Sequence, residues 1–172
     1  MHQEEFTRSV LVHKNKMYRF ALSFMKNEHE AKDVVQDVMM KLWETRAELE
    51  DKLNLEAWCL SLTRNKSLDK IKRVGRKMKS NLDDVGMKLV SANSSPETYT
   101  IEKDTMQNVS DAVMSLPEKQ KAVFQLRDVE GFSYLEICDT LNMDMSQVKV
   151  YIFRARKAIR ERLEKMNSYG QN

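Results

Sequence analysis

The sequence predicts an all-α protein built as two small helical domains joined by a flexible linker. Three observations carry this. The 172 residues include only 4 Gly and 2 Pro but 12 Met and 32% charged residues, a composition suited to helices. Apolar residues recur every three or four positions through most of the chain. That periodicity lapses once, from Gly75 to about Asp104, where "VSANSSPETYT" has the small polar residues and the proline of a linker.

A first helix is expected from about Glu4 to Met25, burying Val10, Met17, Phe20, Ala21 and Phe24. "KNEH" ends it, and a second helix runs from about His29 to Arg46. Ala31, Val34, Val35, Val38, Met39, Leu42 and Trp43 give that helix a wide apolar stripe, with Asp33, Gln36, Asp37, Met40 and Lys41 on the other face. Asn54 can cap a third helix reaching about Val74, whose apolar pattern "TRNKS" interrupts. Beyond the linker, a helix from about Thr105 to Ser115 leads to Pro117, suited to a first helical turn. Gly131 suits the turn after the next helix.

Ser133 and Glu136 form a capping box that opens a short helix. After Asn142, which tolerates left-handed angles, Asp144 can cap a last helix, with Gln147 three residues on. In "MSQVKVYIFRARKAIRERL", Val148, Ile152, Ala155, Ile159 and Leu163 make one apolar stripe. Lys149, Phe153, Arg154, Arg156, Lys157 and Arg160 lie off it. Two short capped helices, the second amphipathic and basic, make a helix-turn-helix whose outer face suits a DNA major groove. Val150, Tyr151 and Phe153 among the bases suit thymine methyls and sugars, although one of them can belong to the core.

The formal net charge of +3 says little, but its distribution says more. Residues 61–80 carry eight Lys and Arg against Asp69 alone, and residues 141–165 carry seven against three acids. Residues 28–51 hold eight acids to three bases, and 82–118 seven to two, so separate surfaces for partners of opposite charge are expected. Cys59 and Cys138 read as buried free thiols of a reducing cytoplasm. His2, His13 and His29 lack ligand spacing, so no metal or other cofactor is expected. The polar N-terminus is unlike a signal peptide, and no apolar run approaches a membrane span.

"YRFALSFMKNEHEAKDVVQDVMMKLWETRAELEDKLNLEAWCLSLTRNKSLDKIKR" resembles region 2 of bacterial RNA polymerase sigma factors of the extracytoplasmic-function (ECF) group, in the sigma-70 family. "LPEKQKAVFQLRDVEGFSYLEICDTLNMDMSQVKVYIFRARKAIRERL" resembles their region 4. The departures are Cys138 where alanine is usual, Ser146 and Gln147 where Gly-Thr is usual, and Val150 where serine is frequent. They bear on the promoter sequence rather than on the fold.

The resemblance implies region 2 over residues 1–78, a linker over 79–104 and region 4 over 105–168. It implies that Asp33, Gln36, Asp37, Met40 and Lys41 grip the clamp helices of the largest subunit of core RNA polymerase. Recognition and opening of the −10 element fall to the helix carrying Arg64, Asn65, Lys66, Asp69, Lys70 and Arg73. Physically, its bases offer phosphate contacts, while Asn65 and Asp69 lie one turn apart and suit exposed base edges. An ion pair of Asp69 with Arg64 or Arg73 is the alternative. The connector from Thr45 to Leu53 suits an unpaired base. Trp58 is assigned to core packing before base stacking. Reading of the −35 element falls to Ser146, Gln147, Lys149, Val150, Tyr151, Phe153, Arg154 and Arg156. In the family the acidic linker threads the polymerase's RNA path, and membrane-bound anti-sigma factors are the usual regulators.

Three other classes are weighed against this. An enzyme would need a phosphate-cradling loop, a nucleophile pair or a metal cluster, and none is legible, nor is a small-molecule substrate implied. A dimeric helix-turn-helix repressor would bind a palindrome without polymerase. A protein-only adaptor would ignore DNA. The chain is expected in the cytoplasm, at the nucleoid or held near the membrane by an anti-sigma factor.

Overall fold

The computed structural model describes residues 2–25, 27–49, 52–82 and 101–169, with side chains up to 76 and from 107 to 166. Eight α-helices and no strand lie among the described residues. The first predicted helix is two. α1 (Gln3–Val10) passes through a 3-10 turn at Leu11–His13 into α2 (Lys14–Leu22). No glycine or proline marks that change, so the sequence pattern runs through it. All five residues expected on its buried side are buried.

Asn27 caps α3 (Glu28–Glu44), its Oδ1 accepting the Glu30 N–H at 2.8 Å. Ala31, Val34, Val35, Val38 and Leu42 fill the core beneath it. Trp43 is not buried with them; its ring lies edge-on to Phe6 with centroids 5.1 Å apart. Asn54 caps α4 (Leu55–Leu82) as expected, its Oδ1 accepting the Ala57 N–H at 2.9 Å.

The "TRNKS" run breaks the apolar pattern of α4, as expected, but not its buried face: Thr63 and Ser67 are fully buried. Their hydroxyls donate to the carbonyls of Cys59 and Thr63, which satisfies them inside the helix at 2.8 Å each. One expectation about α4 is corrected: the helix does not stop near Val74. It runs through Gly75 to Leu82, where the cost of a mid-helix glycine, roughly 1 kcal/mol, is spread over a 28-residue element. The proposed linker core from 83 to 100 lies outside the described residues.

α5 (Ile101–Met114) precedes α6 (Glu118–Phe124), for which Pro117 stands as N-cap rather than as a first-turn residue. One π-turn, Gln125–Val129, ends that helix, and Gly131 takes the positive φ of +78° needed to leave it. Ser133 and Glu136 close the expected capping box at the start of α7 (Tyr134–Leu141). Asn142 is left-handed at φ 51°, ψ 55°, and α8 (Met145–Tyr169) follows. Val148, Ile152, Ala155 and Ile159 are buried, so the dry side of α8 rests on the helices before it.

The cores of the two halves are not separate. One cluster runs from Phe6, Val10, Phe20, Val34 and Leu60 to Val123, Leu126, Ile137 and Ile152. A smaller one joins Ala112, Val113 and Leu116 of the α5 end to Ala155 and Ile159 of α8. No helix among the described residues is long and apolar enough to cross a membrane.

Candidate nucleic-acid interface

The helix-turn-helix is set by two reciprocal caps. The Ser133 N–H donates to Glu136 Oε2 at 2.7 Å, and the Glu136 N–H donates to Ser133 Oγ at 3.2 Å. The Ser133 hydroxyl and N–H hold the Glu136 carboxyl below the usual carboxylate range. At α8 the Gln147 N–H donates to Asp144 Oδ1 at 2.8 Å, and the Asp144 N–H returns a bond to Gln147 Oε1 at 3.2 Å. The Ser146 hydroxyl donates to Asp144 too, and these bonds lower the Asp144 pKa. Ser146 and Gln147, both expected to touch DNA, therefore spend part of their bonding capacity fixing the start of the helix.

From that start α8 turns Lys149, Val150, Phe153 and Arg154 outward, with Phe153 at 68% exposure. A phenyl ring held so far into solvent beside two cations has little to do with core packing. Tyr151 is half-buried against the core, with Lys119 Nζ 6.0 Å from its ring. Arg156 is placed differently from its neighbours. Its Nε and a terminal nitrogen donate to Asp128 at 3.0 and 2.6 Å, tying α8 to the π-turn. That pair raises the Arg156 pKa and gives the residue a structural task that the sequence does not reveal.

A second basic face runs along α4. Asn65, Asp69 and Arg73 are exposed, while Arg64, Lys66 and Lys70 are partly covered. Each of the last three meets a carboxylate. Lys66 Nζ lies 3.0 Å from Asp37 and Lys70 Nζ 3.2 Å from Asp33, so α3 carboxylates expected to face a protein partner neutralise α4 lysines expected to face DNA. Arg64 donates to Glu118 of α6, not to Asp69, which corrects that alternative. These links join residues 29, 37 and 54 apart in sequence, and no local pattern announces them. Gln36, Met40 and Lys41 stay exposed beside Asp33 and Asp37, so the five-residue face is a single surface.

Trp58 is not in the core. It is 37% exposed at the start of α4, with Lys52 Nζ 4.3 Å from its ring and the fully exposed Leu53 close by in the chain. Lys52 and Leu53 belong to the connector; the part of it at Glu50 and Asp51 lies outside the described residues. Cys59 is buried, which pushes its thiol up to about 12, whereas Cys138 is only half-buried, against expectation.

Comparison with known proteins adds to this geometry. Residues 10–77 match the family model for sigma-70 region 2, and residues 106–159 that for sigma-70 region 4. The ECF RNA polymerase sigma factor SigE of Mycolicibacterium smegmatis is 28% identical over 156 residues, covering 91% of this chain and 60% of that protein. The ECF sigma factor SigW of Bacillus subtilis is 23% identical over 168 residues, 94% of this chain and 90% of its own. Among solved structures, the sigma factor RpoE of Bartonella quintana, in complex with the anti-sigma factor NepR, aligns with a TM-score of 0.75 at 25% identity. It covers 94% of this chain and 98% of its own.

Proposed function

The chain belongs to the ECF group of the sigma-70 family, whose members direct promoter-specific transcription initiation by RNA polymerase, and from that premise we infer which surface does which part of the work. The unit around residues 1–78 binds core polymerase and opens DNA, the unit around 105–168 holds the upstream element, and residues 79–104 link them. Asp33, Gln36, Asp37, Met40 and Lys41 face the clamp helices of the largest polymerase subunit, where acids beside a methionine suit a basic, partly apolar helix pair.

Along α4, Arg64, Lys66, Lys70 and Arg73 hold phosphates, which positions the strand without reading it. Asn65 and Asp69 hydrogen-bond edges of bases that have left the duplex. Trp58 and the connector hold an unpaired base by stacking. A trapped base lowers the cost of melting, because unstacking of a few kcal/mol is offset by the new contact. α8 enters the −35 major groove with Lys149 and Arg154 foremost, and the planar fork of Arg154 bridges the two acceptors of a guanine. Val150, Tyr151 and Phe153 touch thymine methyls and sugars, and Ser146, Gln147 and Arg156 flank the groove.

The observation that carries this reading is the doubly capped helix-turn-helix with its exposed Lys149–Arg154 face, behind a second basic helix whose lysines reach toward the polymerase face. The polymerase supplies the catalysis, so the chain is not itself an enzyme and takes no small-molecule substrate. It works in the cytoplasm, at the nucleoid. An anti-sigma protein is a further partner, supported by a relative whose solved structure is such a complex. A gel-shift on promoter DNA with and without core polymerase tests the function. A specific shift only when both proteins are present supports it; a tight shift by the chain alone on a palindrome would make it a conventional repressor.

A further inference from the structure

Asp128 sits on the π-turn Gln125–Val129, a widened turn of the kind that frequently marks a working position in a helix. The turn is pinned by its neighbours. The Glu130 N–H donates to the Gln125 carbonyl at 3.0 Å and the Phe132 N–H to that of Leu126 at 2.9 Å. Arg127 donates to the Phe132 carbonyl at 2.7 Å, and its guanidinium lies 5.0 Å from the ring of Tyr134. From this fixed backbone Asp128 reaches α8. One of its carboxylate oxygens accepts from Nε of Arg156 at 3.0 Å, the other from a terminal nitrogen at 2.6 Å. Asp128 is the more covered partner, its side chain 24% exposed against 48% for Arg156.

Arg156 follows Ala155 of the buried stripe, so at about 100° per residue it projects sideways from α8. Lys149, Phe153, Arg156 and Arg160 recur at helical spacing on that side. With Tyr134 of α7 they line one open groove. Glu161 and Glu164 line it too, beyond Arg160, so its cationic part lies toward the start of the helix. With α8 in a major groove, a side chain on the flank meets the strand that walls the groove. Arg154, about 160° away around the axis, faces base edges instead.

The ion pair changes what Arg156 can do there. A guanidinium has five N–H donors; Asp128 takes two and leaves the rest for another acceptor. An unrestrained arginine follows a phosphate through many rotamers, whereas a clamped one meets it in one place only. The carboxylate also offsets part of the charge that would hold DNA in any other register. We propose that Asp128 is a positioning residue for the upstream contact. It holds Arg156 for one phosphate of the wall strand, fixing the register in which Arg154 reads its base and lowering affinity for unmatched DNA. This rests on reading α8 as the −35 helix.

Holoenzyme made from core polymerase and the full chain tests it on two duplex promoters. One carries the upstream element enriched from a randomised pool, the other the same element scrambled. Asp128→Asn keeps the side chain's shape and an acceptor but removes its charge. It should tighten the scrambled promoter about threefold and the matched one not at all, so that discrimination falls about threefold. The slope of log affinity against log salt should steepen by about one. On an Arg156→Ala background the same substitution should change neither ratio nor slope. A pair that only braces the fold would lower the melting temperature of Asp128→Asn and leave ratio and slope at the parent values. That result would overturn the positioning role, as would an effect of Asp128→Asn that survives Arg156→Ala. A parent holoenzyme that binds both promoters alike would overturn the −35 reading of α8 itself, and the role of Asp128 with it.

Discussion

Lys66 of α4 places its Nζ 3.0 Å from Asp37 of α3, joining the face assigned to polymerase to the face assigned to promoter DNA. Both side chains are about half exposed, so the pair contributes little to stability, at most about 1 kcal/mol. Its interest lies in what each residue does when a partner arrives.

Asp37→Arg should therefore leave the fold intact and weaken core polymerase binding. The loss of one interfacial charge pair and the added repulsion should cost roughly 2–5 kcal/mol. Thermal melting should move little, whereas co-purification with core polymerase should fall sharply. Unchanged affinity in the folded variant would assign this face to solvent.

Alanine at both Asn65 and Asp69 should spare binding of the holoenzyme to a pre-melted promoter more than opening of a duplex one. Both side chains are exposed on α4, where base edges can reach them. Permanganate footprinting reports unpaired thymines. Equal footprints for variant and parent on duplex DNA would remove these two residues from the opening step.

The start of α7 should carry a pH signature. Glu136 has its pKa lowered in the fold by its bonds with Ser133, so its contribution is fully present above the unfolded carboxylate pKa. It is lost as pH falls through the lower folded value. Ser133→Ala should cost about 1 kcal/mol near neutral pH and shrink that acid-side loss. Melting curves from neutral to acidic pH measure both, and a parallel shift at every pH would argue against the cap as the source.

Much of this was legible because it is local. The stripe of Val148, Ile152, Ala155 and Ile159, the two capping boxes and the left-handed Asn142 each depend on residues within a turn or two of one another. The polar run at Thr63–Ser67 breaks the apolar pattern yet continues the buried face for a physical reason: a hydroxyl that donates to the carbonyl four residues back is satisfied, so it packs like a small apolar group. Trp58 misled, since a large aromatic suggests core while Lys52 covers its ring at the surface. The ion pairs of Arg64, Lys66 and Arg156 depend on how helices meet, and the helical pattern alone holds no record of which charges face each other.

The most direct measurement is transcription by core polymerase and this chain from a library randomised across the upstream and downstream elements. Active templates should share two sequence blocks at fixed spacing, and the chain should be required for their use. Arg154→Ala should relax the preference at one upstream base pair at a cost of roughly 1–3 kcal/mol. Arg162→Ala, further along the exposed side of α8, should lower all templates about equally and make binding less salt-sensitive. If no sequence were enriched, or if Arg154→Ala scaled every template by the same factor, α8 would be a phosphate anchor and the assignment of base reading to it would be wrong.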